Sequence, residues 1–190
     1  MPTRPHVERI AMPKEEFFRL STDRENCLVD WEDGVAIKMT PAHSRHGLFI
    51  LRLCNLMGNA LSPDTKGQLW LEVFVDFGSK SYGADIAVLF TEHLDRHVNG
   101  RILGVPDLVV EVVSDDSAVR DRTDKFSGYW SFGVPWYWIG DPMGGSIEEY
   151  KHTADGYLRT ASGTVDSPFA SHALPGLIVD LSLLMKPGFP

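Results

Sequence analysis

The chain has 190 residues, 43% hydrophobic and 23% charged, with a formal net charge of −8 at pH 7. That length suits one domain that buries its own core, and two isolated cysteines exclude a disulfide framework or a cysteine-based zinc site. The acidity counts against a broad phosphate-binding surface, and no stretch approaches the roughly 20 apolar residues of a membrane span.

The N-terminus, Met1-Pro2-Thr3-Arg4, has no apolar signal core, so a cytoplasmic location with Cys27 and Cys54 reduced is expected. Residues 13–20 (PKEEFFRL) read as a short helix with Pro13 near its start. Residues 27–31 and 34–39 read as two strands about a turn at Glu32-Asp33-Gly34, because Asp-Gly between apolar runs is a hairpin signal. From 43 to 61 apolar residues recur near the helical period, through Leu48, Leu51, Leu53, Leu56, Met57 and Leu61. Strands follow at 69–77 and 85–90. The polar segment 91–104, with Asn99-Gly100, reads as a loop.

Residues 107–113 (DLVVEVV) form the clearest strand. A helix over 117–131 follows, with several possible N-caps between Ser114 and Ser117 and Gly133 in a C-cap position. Short strands near 136–140, 147–151 and 157–160 and a last short element at 178–185 complete the chain. This order predicts an α/β (α+β) architecture, a central mixed sheet flanked by helices, and not a regular βαβ array. One domain over 1–190 is expected, with its core at about 28–185 and residues 1–27 as an N-terminal extension.

Three residues stand out chemically. Alternation puts Leu108, Val110 and Val112 on one face of their strand and Asp107, Val109, Glu111 and Val113 on the other. Glu111 thus sits inside an apolar run, where a carboxylate costs several kcal/mol unless it is paired, protonated or metal-bound. A structural salt bridge would also account for it. Asp85 opens the apolar strand DIAVLF; alone it reads as a strand-end residue, and its interest lies in partnership with Glu111. On the following helix Val119, Phe126, Trp130 and Gly133 define an inner stripe. At 100° per residue Arg122 falls within that stripe and Lys125 at its border, able to lay its stem on the core and bring its head to a site. The competing reading pairs Lys125 with Asp121 on the helix surface. His43 and His46 read as surface or core histidines, and Trp130, Trp136, Tyr137 and Trp138 as core.

The stretches PDLVVEVVS at 106–114 and RDRTDKFSGYWSFGVPWYWIGDP at 120–142 strongly resemble the Uma-type family of bacterial proteins. That family is placed in the PD-(D/E)XK superfamily, which includes many restriction endonucleases. The resemblance extends more loosely from about 28 to 185. It implies a restriction-endonuclease-like core, with Asp85 as the Asp that opens the metal-binding motif and Glu111 as its second acidic residue. Val113 stands where the superfamily usually has Lys, and Lys125 matches the relocated Lys. Ala84 stands where a Pro commonly precedes the motif Asp. Glu32 and Glu72 are candidates for an early acidic residue and neither is assigned to the site; Asp107 shares the Glu111 face.

The resemblance therefore implies a Mg²⁺-dependent (or Mn²⁺-dependent) endodeoxyribonuclease, with Asp85, Glu111 and Lys125 catalytic and Asp85 and Glu111 holding the metal. DNA is the expected substrate, a homodimer the expected form for cutting both strands, and no membrane is involved. The alternatives are a catalytically weak nuclease-fold binding or regulatory protein, which the net charge favours, and a metal hydrolase acting on another phosphoester.

Overall fold

The computed structural model describes residues 7–23, 27–39, 44–61, 66–114 and 121–185. The early hairpin forms as its turn chemistry requires. Strands β2 (Leu28–Glu32) and β3 (Val35–Lys38) are joined by Asp33 and Gly34, both at positive φ (46° and 92°). Two successive left-handed residues make the turn whose twist matches a hairpin. β1 (Glu8–Ala11) adds antiparallel to β3. Helix α1 (Lys14–Ser21) packs the fully buried Phe17 against Leu28, Trp31 and Ala36, a burial worth about 1.5–3 kcal/mol.

Helix α2 (Ser44–Leu61) leads to the long antiparallel pair β4 (Gly67–Asp76) and β5 (Lys80–Phe90). The segment expected to be a loop at 91–104 is more ordered than its polarity suggests. A 3₁₀ turn, Thr91–Arg96, precedes a small hairpin of β6 (His97–Val98) and β7 (Arg101–Leu103). Asn99 and Gly100 form its turn, again with both φ values positive. β8 (Leu108–Val112) follows, then a π-helical turn Asp121–Lys125 running into α3 (Phe126–Ser131). β9 (Trp136–Asp141), β10 (Ser146–Thr153) and β11 (Gly156–Thr164) close the main sheet. A small pair, β12 (Phe169–Ala170) and β13 (Ile178–Val179), and helix α4 (Leu181–Leu184) end the described chain.

The main path of the sheet runs β1-β3-β2-β5-β8-β9-β10-β11, with β8 and β9 parallel and the other neighbours antiparallel. It is the mixed sheet flanked by helices that the element order predicts. α2 covers one face, setting Phe49, Leu53 and Met57 on Ile86, Val88, Leu108, Val110 and Val112. On the other face Val109 and Val113 meet Tyr129 of α3 and Tyr137. The alternation expected for 107–113 therefore holds. Tyr137 and Trp138 are fully buried; Trp130 and Trp136 are half-buried.

β5 is the strand on which the sheet turns. β4 pairs along nearly all of one edge, from Ser81 to Phe90. The opposite edge is shared: β2 pairs at Lys80–Tyr82 and β8 at Ile86–Val88. Between them, at residues 83–85, the sheet forks and β5 has no strand neighbour on that side. Strand periodicity also breaks there. Tyr82 and Ala84 face the α3 side, but so do Ala87 and Leu89, while Ile86 and Val88 face α2. The matching irregularity on β4 falls at Glu72, a non-glycine residue at φ 46° between the rungs Leu71↔Ile86 and Val73↔Ala84. Asp85 occupies this break. It lies mid-strand, not at a strand start as the sequence suggests, because β5 begins five residues earlier.

Candidate active site at the fork of β5

A fork exposes backbone groups that no neighbouring strand can satisfy, and buried N–H and C=O groups must find partners. Here side chains supply them. Asp30 of β2 accepts a hydrogen bond from the Gly83 N–H (2.8 Å). The Gly83 carbonyl accepts one from Lys125 Nζ (2.8 Å). Asp85 reaches across to β8, where its Oδ2 accepts from the Val112 N–H (2.7 Å). Gly83 is required by the close approach of β2: a Cβ there would lie 2.6 Å from the Val29 carbonyl oxygen. A bulge between Leu28 and Asp30 shifts the β2 register just before Asp30 meets the fork.

Around this point charged side chains gather. Lys125 Nζ lies 3.0 Å from Glu111 Oε2 and 4.0 Å from Asp30 Oδ1. Tyr129 donates its hydroxyl to Glu111 Oε1 (2.9 Å). Asp30 is 0% exposed, Glu111 1% and Lys125 6%. Burial, and then the nearby Glu111 carboxylate, push the Tyr129 hydroxyl well above its ordinary pKa, so it remains a donor. On the α2 side His46 Nε2 lies 3.3 Å from Asp85 Oδ2. Burial and then the Asp85 charge push the Cys54 thiol up to about 12.

Glu111 and Lys125 thus meet directly. Asp85 lies just beyond the last β5–β8 rung, Ile86↔Val110, and its contacts are to the Val112 N–H and His46. Lys125 turns inward, on the same face as the buried Gly128 and Tyr129 of α3, and Arg122 turns outward, to Glu148 (2.7 Å) and Asp141 (3.6 Å). The inner face of α3 runs through Gly128 and Tyr129, not through the expected Phe126 and Trp130, and so includes Lys125; the π-helical turn before it, with i→i+5 bonding, changes the angular count and carries Arg122 off that face. The Asp121 side chain, His43 and the expected helix start at 117 lie outside the described residues.

Sequence reasoning missed Asp30 and Tyr129 and set His46 aside. Neither candidate for the early acidic residue joins the cluster: Glu32 pairs with Lys80 (3.7 Å) and Glu72 is exposed. Asp107, on the Glu111 face, is taken up by the Phe90 N–H and by His93 (2.8 Å). The available signal for Asp30 was a carboxylate within the apolar run LVDW, the same signal that drew attention to Glu111.

Burial of a carboxylate does not make a site. Glu149 is also fully buried, yet it accepts hydrogen bonds from Thr160, Ser171 and the Ala173 N–H, with His172 bonding through both its N–H and its ring. Those donors pin the chain at 171–173 to β10, which is a structural task. The fork differs because a buried ammonium and two buried carboxylates, Glu111 and Asp30, share one space.

The family described as Uma2, "Putative restriction endonuclease", matches residues 14–183. The chain belongs to this family. A solved structure from Anabaena variabilis, described as "a putative nuclease belonging to DUF820", superimposes with a TM-score of 0.72 at 19% identity, covering 90% of this chain and 96% of that one. At that identity the likeness establishes the shared fold alone. No curated protein matches the chain. Among the described residues no helix is long and apolar enough to cross a membrane.

Proposed function

We propose that the chain is a divalent-cation-dependent endonuclease that hydrolyses phosphodiester bonds in DNA at the fork of β5. The observation that carries this reading is the burial of Lys125 against Glu111 and Asp30. Taking such charges out of water costs several kcal/mol per ion, and apolar packing of the same volume is often as stable or better. Charged groups kept buried at that cost concentrate at functional sites.

The donor chemistry suits Mg²⁺ or Mn²⁺, hard cations that take carboxylate oxygens. Asp85 and Glu111 are the residues that would hold such an ion, with Asp30 beside them. The ion, when bound, supplies polarisation of the phosphate and a more acidic water. Its place is not ready-made: among the described residues no three His, Cys, Asp and Glu side chains are gathered to hold a metal. Glu111 Oε2 is occupied by Lys125. Lys125, anchored on the Gly83 carbonyl, presents its ammonium to developing charge on phosphate oxygens and orients the attacking water. The reading carries with it one domain over the whole chain, a homodimer for cutting both strands, and a cytoplasmic setting.

The satisfied state of Glu111 favours a second reading, a nuclease-fold binding protein with little turnover. Incubation of plasmid and single-stranded DNA with Mg²⁺ or Mn²⁺ separates the two. Wild-type cleavage that disappears in folded Glu111→Gln and Lys125→Ala proteins is the expected result. No cleavage of either substrate, together with no divalent-ion binding by calorimetry, would leave the binding reading.

A further inference from the structure

From the pincer that Lys125 and Tyr129 close on Glu111, we infer that Tyr129 is a positioning residue: it commits Glu111 Oε1 to the protein and leaves Oε2 as the oxygen offered to a cation. The inference rests on the proposed cation-dependent reading and names a task for a residue outside the Asp85–Glu111–Lys125 set.

Lys125 and Tyr129 are four residues apart, the spacing that brings two side chains to the same helix face. They divide one carboxylate between them, Lys125 on Oε2 at 3.0 Å and Tyr129 on Oε1 at 2.9 Å. The two grips differ in kind. The ammonium sits on a flexible stem and has a second anchor at the Gly83 carbonyl, so it can release Oε2 without losing its place. The Tyr129 ring is fixed. Phe77, Tyr82 and Tyr137 surround it, with ring centroids 6.0, 5.2 and 5.4 Å away. The helix carrying it is pressed on Tyr82 at Gly128, where a Cβ would lie 2.5 Å from the Tyr82 hydroxyl oxygen. The Tyr129 hydroxyl therefore cannot swing aside, and Oε1 stays with it. Fixing one oxygen stops rotation of the carboxylate about its terminal torsion, which is otherwise broad. Donors that hold a ligating carboxylate in this way tune metal affinity without touching the metal.

The test compares wild type with Tyr129→Phe, which keeps the ring and its packing and removes only the hydroxyl. Tyr157→Phe is the control: it deletes a similar hydroxyl, bonded to the Val134 carbonyl at 2.9 Å in the same aromatic cluster, away from the fork. Mn²⁺ affinity is measured by calorimetry without DNA, and the Mn²⁺ dependence of cleavage is measured alongside. Tyr129→Phe is expected to weaken Mn²⁺ binding by about 10- to 100-fold and to raise the half-saturating Mn²⁺ concentration to match. The rate at saturating Mn²⁺ should stay within a few-fold, and Tyr157→Phe should leave Mn²⁺ affinity unchanged. Wild-type Mn²⁺ affinity in a folded Tyr129→Phe protein overturns the inference while leaving the nuclease reading intact. So does a loss of rate at saturating Mn²⁺ with affinity unmoved, or an equal loss of affinity in Tyr157→Phe. A wild-type protein that neither binds Mn²⁺ nor cuts DNA overturns the nuclease reading itself, and this assignment with it.

Discussion

Replacing Lys125 with Met removes the ammonium from the fork while keeping most of the volume of its stem. In the native protein that ammonium lies 3.0 Å from Glu111 and 4.0 Å from Asp30, and both carboxylates are almost wholly buried. Removing one partner of a buried ion pair leaves an uncompensated charge and costs about 3–5 kcal/mol. For a chain of this size each kcal/mol moves the melting temperature by about 2–4 °C, so Lys125→Met should melt roughly 6–20 °C below wild type in chelator. If the carboxylates bind divalent ions, part of that loss returns on adding Mn²⁺. An ion at a hundred times its Kd contributes about 2.7 kcal/mol. Thermal melts monitored by circular dichroism, with chelator and with Mn²⁺, give both numbers. A Lys125→Met protein that melts within about 2 °C of wild type in chelator would refute the argument that Lys125 neutralises the buried carboxylates.

Gly83→Ala should destabilise the protein by about 1–3 kcal/mol, since the new methyl meets the Val29 carbonyl and the strand must move; denaturant unfolding measures it. Cys54 should resist iodoacetamide in the native state: with its thiol at about 12, only about one molecule in ten thousand is thiolate at pH 8. Mass spectrometry of labelled native and denatured protein checks this, and fast native labelling would contradict the burial. Desolvation pushes the Glu148 carboxyl up, but hydrogen bonds from Arg122 and Arg159 outweigh it and hold the group below the ordinary glutamate value of 4.5. A depressed acid stabilises the fold above its unfolded pKa, and that contribution is lost as pH falls through the native value. Glu148→Gln should therefore cost less than about 1 kcal/mol at neutral pH, and the deficit should fade below about pH 4.5 in urea unfolding series.

Much of this architecture is written locally in the chain. The Asp33-Gly34 turn, the long apolar face of α2 and the alternation around Glu111 each depend on residues within a few positions of one another, and the structure follows them. The short hairpin at Asn99-Gly100 hides because its strands have only two and three residues, too few for periodicity to register. Lys125 is legible as a cation near the inner stripe. Its full burial is not, because the buried face of α3 runs through Gly128 and Tyr129, while the large apolar Phe126 and Trp130 that mark the expected stripe are half-buried. Asp30 is the most instructive omission. Its role exists only because β2 and β8, some 80 residues apart in sequence, share one edge of β5. Local pattern carries no information about which strands become neighbours, so a buried Asp beside a turn looks like part of the turn.

The fork also gives the molecule two built-in spectroscopic reporters. The amide protons of Gly83 and Val112 are donated to the Asp30 and Asp85 carboxylates, where ordinary strand amides would meet carbonyls. An amide proton facing a carboxylate is charge-assisted, and its resonance responds to what else that carboxylate binds. In a ¹⁵N-labelled sample these two signals should move on adding a divalent ion, while amides in the regular β10–β11 ladder stay in place. The occupancy of the site could then be followed without substrate, turnover or any change to the sequence.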